Sequence, residues 1–219
     1  MYRAGLLAAC AAAAALAAYV VFKRMWRGVV QVVIVFSGKR KSGKDYLAEQ
    51  LLESLPRGAA EIGRLSGPLK EAFAAERGLD YARLLSASAY KEEYRAEMIL
   101  WGEVRRVSDA GYFARRVLAA AQTPILVVSD ARRLGDVAFF AGERVRVVRV
   151  RVEADDAVRR GRGWTFVAGV DDVSSECGLD GRNDWDVVLH NVPGRQVECS
   201  QQIADLAALA IVAVGGQAS

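Results

Sequence analysis

The sequence predicts an α/β fold of three layers, helix–sheet–helix, around a mostly parallel central sheet, with a helical region to one side and a short lid. Three observations predict it. The β-branched run VVQVVIVF (residues 29–36) passes directly into a glycine-bounded cationic loop and then into apolar residues at helical spacing. A second apolar run, PILVV (124–128), ends in Ser129, Asp130 and two arginines. Further runs at 145–152 and 187–189 alternate with segments of helical period. Strands that alternate with helices form a parallel sheet covered on both faces, and their runs are then apolar on both faces too.

Composition sets the outer bounds. The 219 residues are 53% apolar and 26% charged, enough to bury one core, so one domain is expected over residues 29–214 with a short tail at 215–219. A single histidine, His190, and three cysteines, Cys10, Cys177 and Cys199, exclude a disulfide scaffold and a Cys/His zinc site. The net charge of +4 favours anionic partners, but it is too small to indicate nucleic acid. No aromatic-basic strand or RGG tract of the kind RNA binders use is present either. The chemistry therefore falls to Arg, Lys and Asp.

Ahead of the domain, residues 4–22 (AGLLAACAAAAALAAYVVF) are uncharged and long enough to cross a hydrocarbon core of roughly 30 Å. Only Arg3 precedes them, whereas Lys23, Arg24 and Arg27 follow at once. That asymmetry keeps the C-terminal side in the cytosol and makes residues 1–28 read as an N-terminal anchor, a hydrophobic helix outside the domain. A cleaved signal peptide with small residues near Ala15 and Ala17, or an extension ahead of a soluble protein, are the competing readings.

The elements follow in order. After the first strand, Gly38-Lys39-Arg40-Lys41-Ser42-Gly43-Lys44-Asp45 matches GxxxxGK, a P-loop, in the strand–loop–helix context that the motif requires. Its glycines let the backbone curl so that successive N–H groups face phosphate oxygens, and the helix after it adds its positive end. Lys44 reaches the transferred phosphate. Asp45 replaces the usual Ser/Thr at the Mg²⁺ position, where a carboxylate can still serve the ion. Leu47, Ala48, Leu51, Leu52 and Leu55 continue the helix, and Pro56 and Gly58 end it. Ser66-Gly67-Pro68 reads as a capped helix start closing near Gly78. Residues 90–106 read as one helix with Tyr94, Met98 and Trp101 on one face, and residues 112–121 as the next. Asp130, at a strand's carboxyl end, is placed to hold Mg²⁺ through water, with Arg132 and Arg133 beside it for an anion. A short helix runs through Val137, Phe139 and Phe140, and the strand VRVVRVRV (145–152) then alternates to give one polar face. Arg159-Arg160-Gly161-Arg162-Gly163-Trp164 is too polar for a core and reads as a closing lid, spanning about residues 153–172. The last helix covers residues 203–214.

Five blocks, GKRKSGKD (38–45), RLSGPLKE (64–71), YKEEYRAEMILWGE (90–103), VSDARR (128–133) and RGWTFVAGVDDVSSECGLD (162–180), resemble the animal-type phosphomevalonate kinases in content and order. The resemblance spans about residues 32–212 and includes the Asp that ends the P-loop. It implies a nucleoside-monophosphate-kinase-like fold and conversion of (R)-5-phosphomevalonate to (R)-5-diphosphomevalonate with ATP and Mg²⁺, in isoprenoid and sterol synthesis. Carried over, residues Gly38 to Asp45 bind the ATP phosphates, with Lys44, Lys39, Arg132 and Arg162 in the transfer itself and Asp45 and Asp130 on the metal. Arg159, Arg162 and Gln201 serve the nucleotide. Lys70, Lys91, Arg95, Arg106, Arg132, Arg133 and Asn191 serve the acceptor. Val192 stands where the family can carry a His at the nucleotide. The acceptor's phosphate oxygen is already anionic, so no strong general base is needed and the shortage of histidine is no obstacle. A cytosolic, monomeric kinase domain is expected, and the ending Gln217-Ala218-Ser219 is not a peroxisomal-type signal. Rival readings are another small-molecule or nucleoside-monophosphate kinase of this fold, and a non-catalytic nucleotide-binding module.

Overall fold

β1 (Val32–Ser37) is the middle strand of a five-stranded sheet in the order β2-β3-β1-β4-β5, with β2 (Ala60–Gly63), β3 (Ile125–Ala131), β4 (Arg146–Glu153) and β5 (Val187–His190). Every neighbouring pair is parallel. A computed structural model describes residues 30–86 and 89–215, so the anchor-like segment at 4–22 and the ending Gln217-Ala218-Ser219 lie outside the described residues.

The layers follow from period-2 alternation of strands that are apolar on both faces. Val32, Ile34 and Phe36 point to one side, where they pack with Leu47, Leu51, Ile203 and Leu206. These last come from α1 (Lys44–Ser54) and α10 (Gln196–Gly215). Val33 and Val35 point to the other side and meet Phe73, Trp101, Phe113, Val117 and Phe140. These belong to α2 (Ser66–Arg77), α5 (Arg95–Ser108), α6 (Tyr112–Ala120) and α7 (Leu134–Gly142). All five β1 side chains from Val32 to Phe36 have no exposed surface, each worth about 1.5–3 kcal/mol on burial. The chain leaves β1 for β2 and β3 on one side, then returns past it to β4 and β5 on the other. The crevice where strand order reverses lies at the carboxyl end of β1, where open α/β sheets bind ligands.

Several elements depart from expectation. β2 was not anticipated: four residues containing Glu61 and Gly63 show no strand pattern, and pairing with Ile125 to Val128 of β3 makes them one. The helix expected over 90–106 is two, α4 (Ala89–Glu93) and α5, interrupted at Tyr94 with φ −96° and ψ 2°. Glu92 and Arg95 are paired at 2.6 Å across the break, while Met98 and Trp101 keep the expected buried face. The short α3 (Tyr81–Leu85), capped by Asp80, was also missed, and α10 starts at Gln196, seven residues early, because its first turns are polar.

The lid expected over about residues 153–172 contains α8 (Asp156–Gly161), and α9 (Ser174–Cys177) follows it. It is not too polar for a core: Arg159 is 4% and Trp164 8% exposed. Their planar groups stack at 3.8 Å, and Arg159 donates to the Arg40 carbonyl and to Asp156, which satisfies a buried guanidinium. The polar face of β4 is likewise covered. Arg149 pairs with Asp184 and Asp186, and Arg151 with Asp180 and Ser37.

Candidate active site

Backbone geometry builds the phosphate loop first. Lys41 and Gly43 both have positive φ, 62° and 90°, which turns the chain between β1 and α1. Behind the loop, Asn191 Nδ2 donates to the Ser42 carbonyl at 2.9 Å, and Arg162 donates to the same carbonyl at 2.8 Å and to that of Asn191 at 2.9 Å. The approach is so close that a Cβ at Gly43 would lie 2.2 Å from Asn191 Nδ2. Asn191, expected at the acceptor, and Arg162, expected at the transferring phosphoryl, both hold the phosphate loop through the Ser42 carbonyl. Replacing Asn191 by Ala should raise the ATP KM and lower kcat, each about tenfold, with the acceptor KM unchanged, because one neutral hydrogen bond of about 1 kcal/mol and the loop's shape go together. Steady-state kinetics with each substrate varied checks it.

Lys44 is 5% exposed and reaches Asp45 at 3.4 Å. Burial holds its ammonium below the ordinary lysine range, repulsion from Arg132 adds to that, and Asp45 and Asp130 offset part of it. Lys39 pairs with Asp180 at 2.9 Å and Arg40 with Asp171 at 2.9 Å. Next to the loop, between the ends of β4 and β5, a cleft of about 600 Å³ is lined by Lys39, Ser42, Arg159, His190, Val192 and Arg195. His190 and Arg195 are the residues that sequence reasoning missed here. The only hint was their nearness to Val192. Gln201, expected at the nucleotide, instead donates to Asp205 one turn along the exposed face of α10.

A second cleft, of about 210 Å³, brings together Lys70, Lys91, Arg95, Arg106, Arg132 and Arg133, all six of the cations expected at the acceptor. They come from α2, α4, α5 and the turn after β3. Among the described residues, Lys70 and Lys91 have no ion-pair partner, and burial followed by a neighbouring cation pushes both below the ordinary lysine range. Arg106 Nε and Nη1 and Arg133 Nε are buried donors without acceptors. Arg132 is paired with Glu176, and Arg133 with Glu103. Crowded, desolvated cations with unmet donors are a receptor for an anion.

Asp130 also lines this cleft, and both its oxygens accept backbone amides, from Leu65 at 2.7 Å and Ser66 at 3.0 Å. The start of α2 is thus capped by Asp130 from β3, with no side-chain cap at its own N-cap. Asp45 is the open carboxylate, with 54% of its side chain exposed. Among the described residues no group of three or more His, Cys, Asp or Glu side chains could hold a metal alone. One or two carboxylates beside a phosphate loop do fit Mg²⁺, which keeps several waters and takes its other ligands from substrate phosphates.

Residues 36–145 match the sequence model of the family described as phosphomevalonate kinase. A phosphomevalonate kinase of Drosophila melanogaster is 43% identical over 166 residues, covering 73% of this chain and 87% of the fly protein. The chain belongs to the phosphomevalonate kinase family. Solved structures that resemble it include shikimate kinase from Acinetobacter baumannii in complex with shikimate, at 12% identity and TM-score 0.48, covering 85% of this chain and 97% of that one. A gluconokinase from Sinorhizobium meliloti is 14% identical with TM-score 0.45, covering 88% of this chain and 99% of that one. Lys44 lies close enough to Arg132 and Asp130, which line the smaller cleft, for their charges to act on its ammonium.

Proposed function

We propose that this protein transfers the γ-phosphoryl group of ATP to (R)-5-phosphomevalonate, giving (R)-5-diphosphomevalonate and ADP, in the mevalonate route to isoprenoids and sterols. Membership of the family supports the reaction, and the six-cation cleft carries the choice of acceptor. Phosphomevalonate is anionic at both ends, a phosphate and a carboxylate, with an aliphatic middle. The cleft offers cations around Leu69, Met98 and Ile99. Arg132, whose charge couples to Lys44, takes the phosphate end in its planar fork. Lys70, Lys91 and Arg95 take the carboxylate end.

Two highly charged phosphates must approach in line, so the protein acts by positioning and electrostatic stabilisation. The loop amides from Gly38 to Lys44 hold the β- and γ-phosphates, and Lys44 follows the charge onto the transferring group. Asp45 and Asp130 would hold Mg²⁺, which when bound neutralises charge between the β- and γ-phosphates. No side chain needs to remove a proton.

The test is ADP release with Mg²⁺ and phosphomevalonate, mevalonate or nucleoside monophosphates. Phosphomevalonate should be the substrate by orders of magnitude in kcat/KM. A preference for a nucleoside monophosphate would overturn the proposal.

Acceptor affinity should depend on pH with a definite sign. Lys70 and Lys91 bind the acceptor only when protonated, and their depressed proton affinity brings neutralisation earlier than for an ordinary lysine. A bound anion restores that affinity. The alkaline fall of kcat/KM, which reports the free enzyme, should therefore occur at lower pH than the fall of kcat, which reports the complex. Paired pH–rate profiles read the difference, and coincident limbs would contradict the acceptor role of the lysines.

We assign the kinase domain to the cytosol as a monomer, tethered to a membrane by residues 4–22. Carbonate extraction of the full chain tests the tether: protein released into the soluble fraction would refute it.

A further inference from the structure

A ten-residue strap, 171–180, supplies a carboxylate to cations on both sides of the transfer site. Asp171 accepts from Arg40 at 2.9 Å, Glu176 is paired with Arg132, and Asp180 bonds Lys39 at 2.9 Å and Arg151 at 2.8 Å. The strap is seated rather than draped. Leu179 is 2% exposed within the core, and at Gly178 a Cβ would stand 2.6 Å from the Ser174 carbonyl oxygen and 3.2 Å from that of Arg132. The Glu176 side chain is 7% exposed and lines the acceptor cleft beside Arg106 and Lys91. A carboxylate pointing into a cleft of cations occupies the place of an anionic ligand.

We propose that Glu176 is a specificity-determining residue of the acceptor site, an internal stand-in for the acceptor's phosphate that an incoming anion must displace from Arg132. The proposal rests on the phosphoryl-transfer reading of this cleft and adds a selection rule to it. Free phosphate at Arg132 must break the Glu176 pair and has no second charged end to place among the other cations. An acceptor that also engages Lys70, Lys91 and Arg95 at its other end gains more from the same displacement. Occupancy of Arg132 by Glu176 lowers the apparent affinity of an anion held at Arg132 alone by the fraction of molecules in which the fork is free, whereas an acceptor already held at Lys70, Lys91 and Arg95 stays bound while the pair is closed and loses less. The acceptor, with contacts beyond Arg132, tolerates that loss better than a small anion does.

The test is Glu176→Gln in the full chain, read first by calorimetric binding of inorganic phosphate. Its Kd should fall about tenfold, equivalent to about 1.4 kcal/mol. The KM for phosphomevalonate should fall by less, so that phosphate becomes a stronger competitive inhibitor relative to substrate affinity. An unchanged or weakened phosphate Kd would overturn the proposal, as would a Glu176→Gln enzyme whose kcat collapses at normal phosphate affinity. Glu176→Asp keeps the charge but shortens its reach, and should tighten phosphate to an intermediate degree. That variant decides the matter if the glutamine form fails to fold. Phosphate binding does not depend on the acceptor's identity. Tightened phosphate in a protein that ignores phosphomevalonate would sink the substrate reading alone, whereas normal turnover with unmoved phosphate would sink this one alone.

Discussion

Lys44→Met should lower kcat by about three orders of magnitude or more while leaving the fold intact, the scale of losing a cation that stabilises a transferring phosphoryl group. Met matches the aliphatic stem of a side chain that is 5% exposed, so the packing of that buried stem is conserved. What disappears is the charge next to Asp45, and with it the contact that strengthens as negative charge shifts between the two phosphates. The effect should therefore fall on kcat, with both KM values moving less than tenfold. Stability should move the other way. Burial and Arg132 depress the proton affinity of Lys44 in the folded chain, so at neutral pH its charge disfavours folding, and that cost disappears only as pH rises through the lowered value. Lys44→Met should thus melt at or above the wild-type temperature at pH 7, and the difference should shrink in alkaline buffer. Single-turnover kinetics and thermal melts at two pH values check both halves. Near-normal turnover would remove Lys44 from the transfer step.

The strand, loop and helix around Lys44 were legible because their signals are local: a β-branched run, two glycines at fixed spacing, and leucines at helical period. The acceptor cations were legible for another reason. All but Arg106 fall within the blocks of the family resemblance, and the topology brings α2, α4, α5 and the turn after β3 to one crevice. What escaped the sequence depends on contacts between distant residues. Asp130 caps α2 from 64 and 65 positions away, and Asn191 reaches the phosphate loop across 149. Nothing near either residue announces those partners. β2 exists because β3 offers it a hydrogen-bonding edge, and Glu61 within it is used up on the amides of Gln122 and Thr123. The strap's acids were visible as the letters of a resembling block, yet their role appears only when each is seen against its cation.

Arg132 pairs with Glu176 and is the residue proposed to hold the acceptor's phosphate, so Arg132→Ala should show two separable losses. Functionally, the acceptor KM should rise and kcat should fall, for a combined loss of about 10³ in kcat/KM, comparable to a bidentate phosphate contact strengthened in the transition state. Lys at this position should recover little, since a point charge cannot reproduce the planar fork. Structurally, the same change leaves Glu176 buried and unpaired, which costs about 3 kcal/mol, at the low end for a broken buried pair because the Arg132 side chain keeps 30% of its surface exposed. The double variant Arg132→Ala, Glu176→Gln separates them. It should regain most of the melting temperature, because no charge is stranded, and none of the activity, because the fork for the acceptor's phosphate is still missing. Recovery of activity along with stability would mean that Arg132 serves only to neutralise Glu176. A single variant that melts normally but has lost turnover would mean that the pair is too loosely held to exclude a competing anion, and that acceptor selection lies with Lys70, Lys91 and Arg95.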